Sequence, residues 1–340
     1  MFKYQLIKDP GAWEELNLQW NDLLATGVTN VPFLRFEYLR QWWQTRGGGE
    51  WADGELMIVT ASDAIGIVGI APLFQKSDPD GSVDLLFIGS FEISDYLDFI
   101  VPKEHVDEFL DGLFQFLNGL IIAKWRRLDL YNLLEDSPSL SALEKTAKKQ
   151  GWHYEASVLQ QTPRIHMPGD WEQYLASIDK KQRHEIRRKM RRLEHSGHGH
   201  RWYIVDDAAT LEREMEGFLH LMAQDDKKRT FLTPLMREQM LGTMRCAFQA
   251  GCLHLAFLEI DGTKAAAYLT FYYDNQLWVY NSGVNHEQYD FSPGWVLLGY
   301  LLEWANENGV LEFDFMRGNE DYKYKFGAVD RRVLRVQITH

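Results

Sequence analysis

Cysteine is scarce in this chain of 340 residues: Cys246 and Cys252 are too few for a multi-disulfide framework or a four-thiolate zinc site. No uninterrupted run of about 18 apolar residues occurs, so no membrane span is expected. The opening segment, MFKYQLIKDP, lacks the apolar stretch of a secretory leader. A G-x-S-x-G elbow, a P-loop and a dinucleotide fingerprint are all missing, which lowers hydrolase, kinase and dehydrogenase readings. Positive charge is in deficit as well, with 36 Lys and Arg against 49 Asp and Glu, a net of −13. Phosphate contacts need clustered cations, so nucleic acid is an unfavoured partner. From these absences we expect a soluble, cytoplasmic protein with no multi-disulfide framework and no membrane span.

What is present is ordinary globular material, 45% hydrophobic and 25% charged. The length suggests two domains. Charge divides unevenly between them: residues 1–160 hold 13 basic and 24 acidic residues, the remainder 23 and 25. We expect domains at 1–165 and 166–340, joined by a basic helix over 177–195. Along that helix Ile178, Ile186, Met190 and Leu193 make a narrow apolar stripe. Its cations suit either a phosphate-bearing or acidic partner or a solvated face.

The pattern of elements is mixed α/β. In the first half, helices are expected over 13–24, 36–43, 107–120 and 139–150. Strands are expected over 56–60, 65–74, 83–89, 96–101, 127–131 and 157–165. In the second half, strands over 201–205, 253–260, 264–273, 276–282, 311–315 and 332–338 alternate with helices over 211–222, 234–250 and 292–308. The two halves read as two copies of one unit with a mixed sheet.

Two stretches carry candidate chemistry. In the first, a strand containing Tyr280 and Asn281 leads to Ser292-Pro293-Gly294-Trp295. Ser292 is a natural N-cap, Pro293 fits a first helical turn, and Gly294 leaves the backbone open to close approach. Such a helix start suits an anion, for instance a pyrophosphate, and is equally a well-capped helix. In the second, a strand carrying Asp314 ends at Arg317-Gly318, with Tyr322, Lys323 and Lys325 close behind. Asp314 and Tyr322 have the chemistry of an acid–base pair, while Arg317, Lys323 and Lys325 could neutralise a phosphate or carboxylate. Asp314 equally suits a turn cap. Elsewhere, His195, His198 and His200 lie among glycines and read as a connector, so no metal is expected. Cys246 and Cys252 have no evident base partner. Asp225–Arg229 either ends a helix on the surface or lines a cleft.

The order of five segments resembles the CelD/BcsL-type acetyltransferases of the GNAT superfamily, relatives of the FemAB aminoacyltransferases. The segments are Val68-Gly-Ile-Ala-Pro-Leu73, Asp95-Tyr-Leu-Asp-Phe99, the stretch from Trp171 through the basic helix, Phe291-Ser-Pro-Gly294, and Phe313-Asp-Phe-Met-Arg-Gly318 followed by Tyr322-Lys323. The resemblance implies two tandem GNAT-like domains, with a cofactor site in the second alone. Acetyl-CoA or another acyl-CoA would be the donor and an amine, small or linked to the cell envelope or to polysaccharide, the acceptor. Tyr280 and Asn281 would flank the thioester, and Ser292, Pro293, Gly294 and Trp295 would face the pyrophosphate. Asp314 and Tyr322 would be catalytic, with Arg317, Lys323 and Lys325 on the acceptor side. The usual GNAT loop, Q/R-x-x-G-x-G/A, is replaced here by Asp290-Phe-Ser-Pro-Gly294. Aminoacyl transfer from tRNA to a peptidoglycan precursor and a catalytically silent binding protein are the alternatives.

Overall fold

The computed structural model describes residues 2–119 and 125–340. The chain divides into one unit of residues 1–160 with 332–340 and a second of residues 161–331. The final strand, expected in the second domain, therefore belongs to the first unit.

The first unit carries a six-stranded sheet in the order Glu55–Leu56, Leu73–Ser77, Val83–Phe87, Trp125–Leu134, Arg332–Thr339, His153–Gln161. A smaller sheet joins Lys3–Ile7, Ile58–Ser62 and Ile67–Ala71. The apolar run over 65–74 is thus two strands in two sheets. Pro72 has no N–H for a ladder, and the chain switches sheets at it. The helix expected over 107–120 is Val106–Gly119, and residue 120 lies outside the described residues.

Residues 96–101, expected as a strand, are irregular apart from a single bridge between Ile100 and Ile70. Side chains have taken over the work of a ladder. The buried Asp98 carboxylate accepts from the hydroxyls of Thr29, Ser137 and Ser139 at 2.6, 2.5 and 2.6 Å. Asn132 Nδ2 donates to the carbonyls of Phe91 and Ser94, and the Leu97 N–H donates to the Asn132 carbonyl. Strands Val83–Phe87 and Trp125–Leu134 pair in parallel from Val83 to Leu85. Beyond that stretch the segment after Phe87 lies against Asn132, filling the space beside the longer strand.

The second unit repeats the plan. Its sheet runs His200–Ile204, Leu253–Ile260, Thr263–Tyr273, Gln276–Val284, Glu312–Asp314, Arg164–His166. As in the first unit, an antiparallel pair is followed by a parallel pair and then an antiparallel one. A helix connects the parallel strands in each: Val106–Gly119 in the first, Pro293–Glu307 in the second. One face of the second sheet packs on Pro293–Glu307 and the basic helix Lys180–Glu194, which buries Ile186, Met190 and Leu193 as its sequence stripe required. Asp179 caps that helix, accepting from the Lys181 N–H at 2.8 Å. The other face packs on Leu211–Met222 and Pro234–Gln249.

His254 sits inside the second unit, with Nδ1 2.9 Å from Thr270 Oγ1 and its ring 4.4 Å from that of Trp304. Burial pushes its pKa down to about 4. The unfolded chain therefore binds a proton near pH 6.5 that the folded chain refuses. Stability from this residue is complete above pH 6.5 and declines as the pH falls toward 4, by up to about 1.36 kcal/mol per pH unit. We expect urea unfolding of His254→Gln to lack that part of the acid slope. A variant with the wild-type slope would contradict the assignment.

Candidate functional site

The sheet of the second unit opens at one place. Gln276–Trp278 pairs in parallel with Glu312–Asp314 at three positions, after which the first strand continues to Val284 and the second stops. Asp314 supplies the reason for the stop. It is fully buried, and its Oδ1 accepts from the Met316 N–H at 2.6 Å, turning the chain into a left-handed Met316 with φ 57°. Its Oδ2 accepts from Arg331 Nη2 at 2.5 Å. Arg164 and Arg331 also flank Glu312, two residues earlier, at 2.9 and 3.9 Å. The carboxylates that end the strand are therefore bound to guanidinium groups inside the protein.

The longer strand shows a register shift against Thr263–Tyr273 at Tyr280, which the pairing skips between Val279 and Asn281. Such a bulge bends the strand and raises its twist. Beyond it, the Asn285 N–H donates to the Ala265 carbonyl at 2.8 Å. Hydrogen-bonded pairs alternate along an antiparallel ladder, so the backbone groups of Ser282, opposite Tyr268, point away from that neighbour toward the opening. The Ser282 N–H donates to Asn281 Oδ1 at 2.9 Å, and its carbonyl accepts from Lys228 Nζ at 2.7 Å. Lys228 stands beside a niche of about 130 Å³ lined also by Met222, Asp225, Val284, His286 and Tyr289. Burial lowers its pKa, opposed by Asp225 and Glu320.

The strand leads into the helix Pro293–Glu307. Ser292 is left-handed at φ 52°, and its carbonyl accepts from the N–H groups of Trp295 and Val296. With Pro293 lacking a donor, Gly294 supplies the amide at the tip. A Cβ on Gly294 would come within 2.9 Å of Val284 Cγ2, so a side chain there would crowd the approach. The half-buried Lys189 ammonium lies 4.2 Å from the Trp295 ring centroid and 3.7 Å from Glu185 Oε1, with Arg188 and, more weakly, Lys325 near enough to repel it. Desolvation is the larger influence lowering the Lys189 pKa.

The expected residues fall into three groups. Tyr280 packs toward Leu211–Met222, its ring 5.4 Å from Phe271. Trp295 and Tyr322 pack on the opposite face of the sheet, and Asn281 lies on the strand between. Burial, with help from Glu320, pushes the Tyr322 hydroxyl far above the usual tyrosine range. Lys323 is 3% exposed and turns its ammonium on the carbonyls of Arg317 and Gly318 at 3.1 and 3.0 Å, with Glu320 at 2.9 Å. Arg317 is half-buried and Lys325 exposed. Lys189 and Lys228 were not singled out from sequence. The first was one cation among many in a basic helix, and the second sat in the Asp225–Arg229 run, where nothing marked it as turned inward. Among the described residues no group of three His, Cys, Asp or Glu could hold a metal, and no helix is long and apolar enough to cross a membrane. His198 instead pairs with Asp261, Nδ1 to Oδ2, at 2.5 Å.

Removing the guanidinium from a buried carboxylate leaves an uncompensated charge and costs far more than breaking an ion pair in solvent. Arg331→Met should cost about 3–5 kcal/mol in chemical denaturation. A cost below 1 kcal/mol would mean that the pair does not hold the strand end.

Residues 180–324 match the family model described as Acetyltransferase (GNAT) domain. Among curated protein sequences none matches the chain. A crystal structure of FemX is similar to it at 12% identity, covering 98% of this chain and 96% of that one, with a TM-score of 0.67. A conserved protein of unknown function from Bacteroides thetaiotaomicron VPI-5482 is similar at 9% identity, covering all of both chains, with a TM-score of 0.61. The C-terminal domain of a putative lysylphosphatidylglycerol synthetase from Agrobacterium fabrum is similar at 11% identity, covering 95% and 92%, with a TM-score of 0.58. At these identities what is shared is the fold.

Proposed function

We propose that this chain, which carries a GNAT acetyltransferase domain at residues 180–324 in a tandem architecture, is an N-acyltransferase that uses an acyl-CoA donor. The observation that carries the reading is the divergence of strands Gln276–Val284 and Glu312–Asp314 beside the start of Pro293–Glu307. The opening offers a strand edge for an amide-bearing arm. The adjacent helix start, with Lys189 and Lys325 nearby, offers charge to a diphosphate.

In this reading an unprotonated amine nitrogen of the acceptor attacks the thioester carbonyl carbon and the carbon–sulfur bond breaks; the nitrogen gives up a proton to water, and the departing thiolate takes one from a donor that solvent reprotonates. Tyr322 fits the proton donor, because burial keeps its hydroxyl protonated. Asp314 is then a positioning residue: its two oxygens are engaged by Met316 and Arg331, and it holds the opening rather than touching substrate. Lys323 likewise fixes the loop 316–318, and Arg317 and Lys325 stand on the acceptor or phosphate side. Among the described residues of the first unit the corresponding gap is filled by residues 88–101, so in this reading the donor site belongs to the second unit alone. Acceptors include small amines and amines of cell-envelope or polysaccharide precursors.

Calorimetric titration with acetyl-CoA tests the donor. Saturable binding is expected for the wild type and is lost in Gly294→Trp. If no acyl-CoA binds a folded wild-type protein, the donor assignment is wrong. With a responsive amine found by thiol release, Tyr322→Phe should lower turnover by roughly 10²–10⁴-fold. Unchanged turnover would remove the proton-donor role.

A second reading, aminoacyl transfer from charged tRNA, draws on the exposed cations Lys180, Lys181, Arg191 and Arg192 of the basic helix. The net charge of −13 opposes it. Saturable tRNA binding in a gel shift would favour it.

A further inference from the structure

We propose that the Lys228 side chain is a displaceable cap on the donor groove, standing in at the Ser282 carbonyl for an amide N–H of the acyl donor. The inference rests on the acyl-CoA reading above. An open strand edge presents N–H and C=O groups that must find partners. At Ser282 both splay-facing groups are satisfied by side chains: Asn281 Oδ1 on the N–H at 2.9 Å and Lys228 Nζ on the carbonyl at 2.7 Å. Neither bond belongs to the sheet. Lys228 reaches Ser282 from a short helix, Asp226–Phe231, that Asp225 caps through the Lys227 and Lys228 N–H groups at 2.9 and 3.0 Å.

The surroundings give the displaced ammonium somewhere to go. Asp225 is exposed and Glu320 is close enough to act on Lys228, so leaving the carbonyl takes Lys228 toward carboxylates and water. The niche of about 130 Å³ beside it is room for a linear arm, not for a bulky group. Helix Leu211–Met222 forms the far wall and cannot retreat cheaply. A Cβ on Gly283 would lie 2.5 Å from the Leu221 carbonyl carbon and the Met222 nitrogen, so strand and helix backbones already touch there. A donor arm that pairs with Ser282 therefore exchanges one hydrogen bond for another. The protein's own cap is part of what sets affinity.

The exchange predicts a gain where a binding-site lysine would ordinarily give a loss. Lys228→Met keeps the length of the side chain but cannot donate, which leaves the Ser282 carbonyl to water in the unliganded protein. Its acetyl-CoA dissociation constant should fall roughly 3- to 10-fold, the net worth of one hydrogen bond. Lys228→Arg retains a donor and a charge and should bind within about twofold of the wild type. Titrations on the full chain, with thermal unfolding to verify that each variant is folded, read this directly. A wild type that binds while Lys228→Met binds equally or more weakly overturns the cap and makes Lys228 an attractor of the donor's negative charge. A wild type that binds no acetyl-CoA overturns the donor reading, and the cap with it. If Lys228→Met does not fold, Lys228→Leu provides the same comparison, again without a donor, and the same two outcomes apply.

Discussion

The opening in the second sheet depends on how early one strand stops. Parallel strands that leave a sheet together continue their ladder unless something at the backbone competes for it. In Glu312–Asp314 the competitor is the strand's own last side chain: the Asp314 carboxylate takes the Met316 N–H, and Met316 becomes left-handed. A carboxylate buried to this degree is tolerable because Arg331 meets its other oxygen. Loosening that ion pair would let the chain after Asp314 run on beside Val279 and Tyr280, and the groove would close. Loop 316–318 depends on the same arrangement. Its carbonyls converge on Lys323, and the Gly318 N–H donates to the Gln161 carbonyl at 3.0 Å.

The first unit shows what the same topology becomes when the gap is not kept open. Its parallel strands also separate after a short pairing, yet the chain itself enters the space. Ser90, Ser94, Leu97 and Asp98 are fully buried there. Tyr38, which donates to the Ile93 carbonyl at 2.5 Å, helps Asn132 fix the segment. A buried carboxylate with three hydroxyl donors is supported by hydrogen bonds in place of charge. Burial raises the Asp98 pKa while those hydroxyls lower it. The two halves thus solve the same backbone problem in different ways. One consumes its own loop, and the other spends single side chains at Ser282, which a ligand can replace.

Much of this was legible in the sequence, for identifiable reasons. The long amphipathic elements, such as Lys180–Glu194 and Leu211–Met222, followed their apolar periodicity, because burying one face leaves little choice. The start of Pro293–Glu307 was marked by Ser292-Pro293-Gly294. Residues 96–101, Tyr-Leu-Asp-Phe-Ile-Val, were misread because a short apolar run that serves a packed loop held by side chains is indistinguishable from a buried strand without Thr29, Ser137 and Ser139 in view. The segment Arg332–Thr339 was recognised as a strand, but sequence adjacency gave it to the wrong unit; pairing with Trp125–Leu134 is a contact about 200 residues away.

The site was legible as a set of residue types and not as a set of roles. Asp314, Tyr322 and Lys323 were singled out because carboxylate, phenol and ammonium are the groups that move protons and bind anions. Burial then separates them. Asp314 and Lys323 each spend their polar atoms on backbone groups and neighbouring charges, whereas Tyr322 keeps its proton in a setting that discourages ionisation. Lys228 reverses the error. Its sequence context, Asp225-Asp226-Lys227-Lys228-Arg229, looks like exposed charge, and Lys227 and Arg229 are exposed. A helix of six residues turns successive side chains by about 100°. One cation of the three can face inward while its neighbours stay in water. Which of them does so is decided by the carbonyl left unpaired across the groove, a consequence of where Asp314 ends its strand.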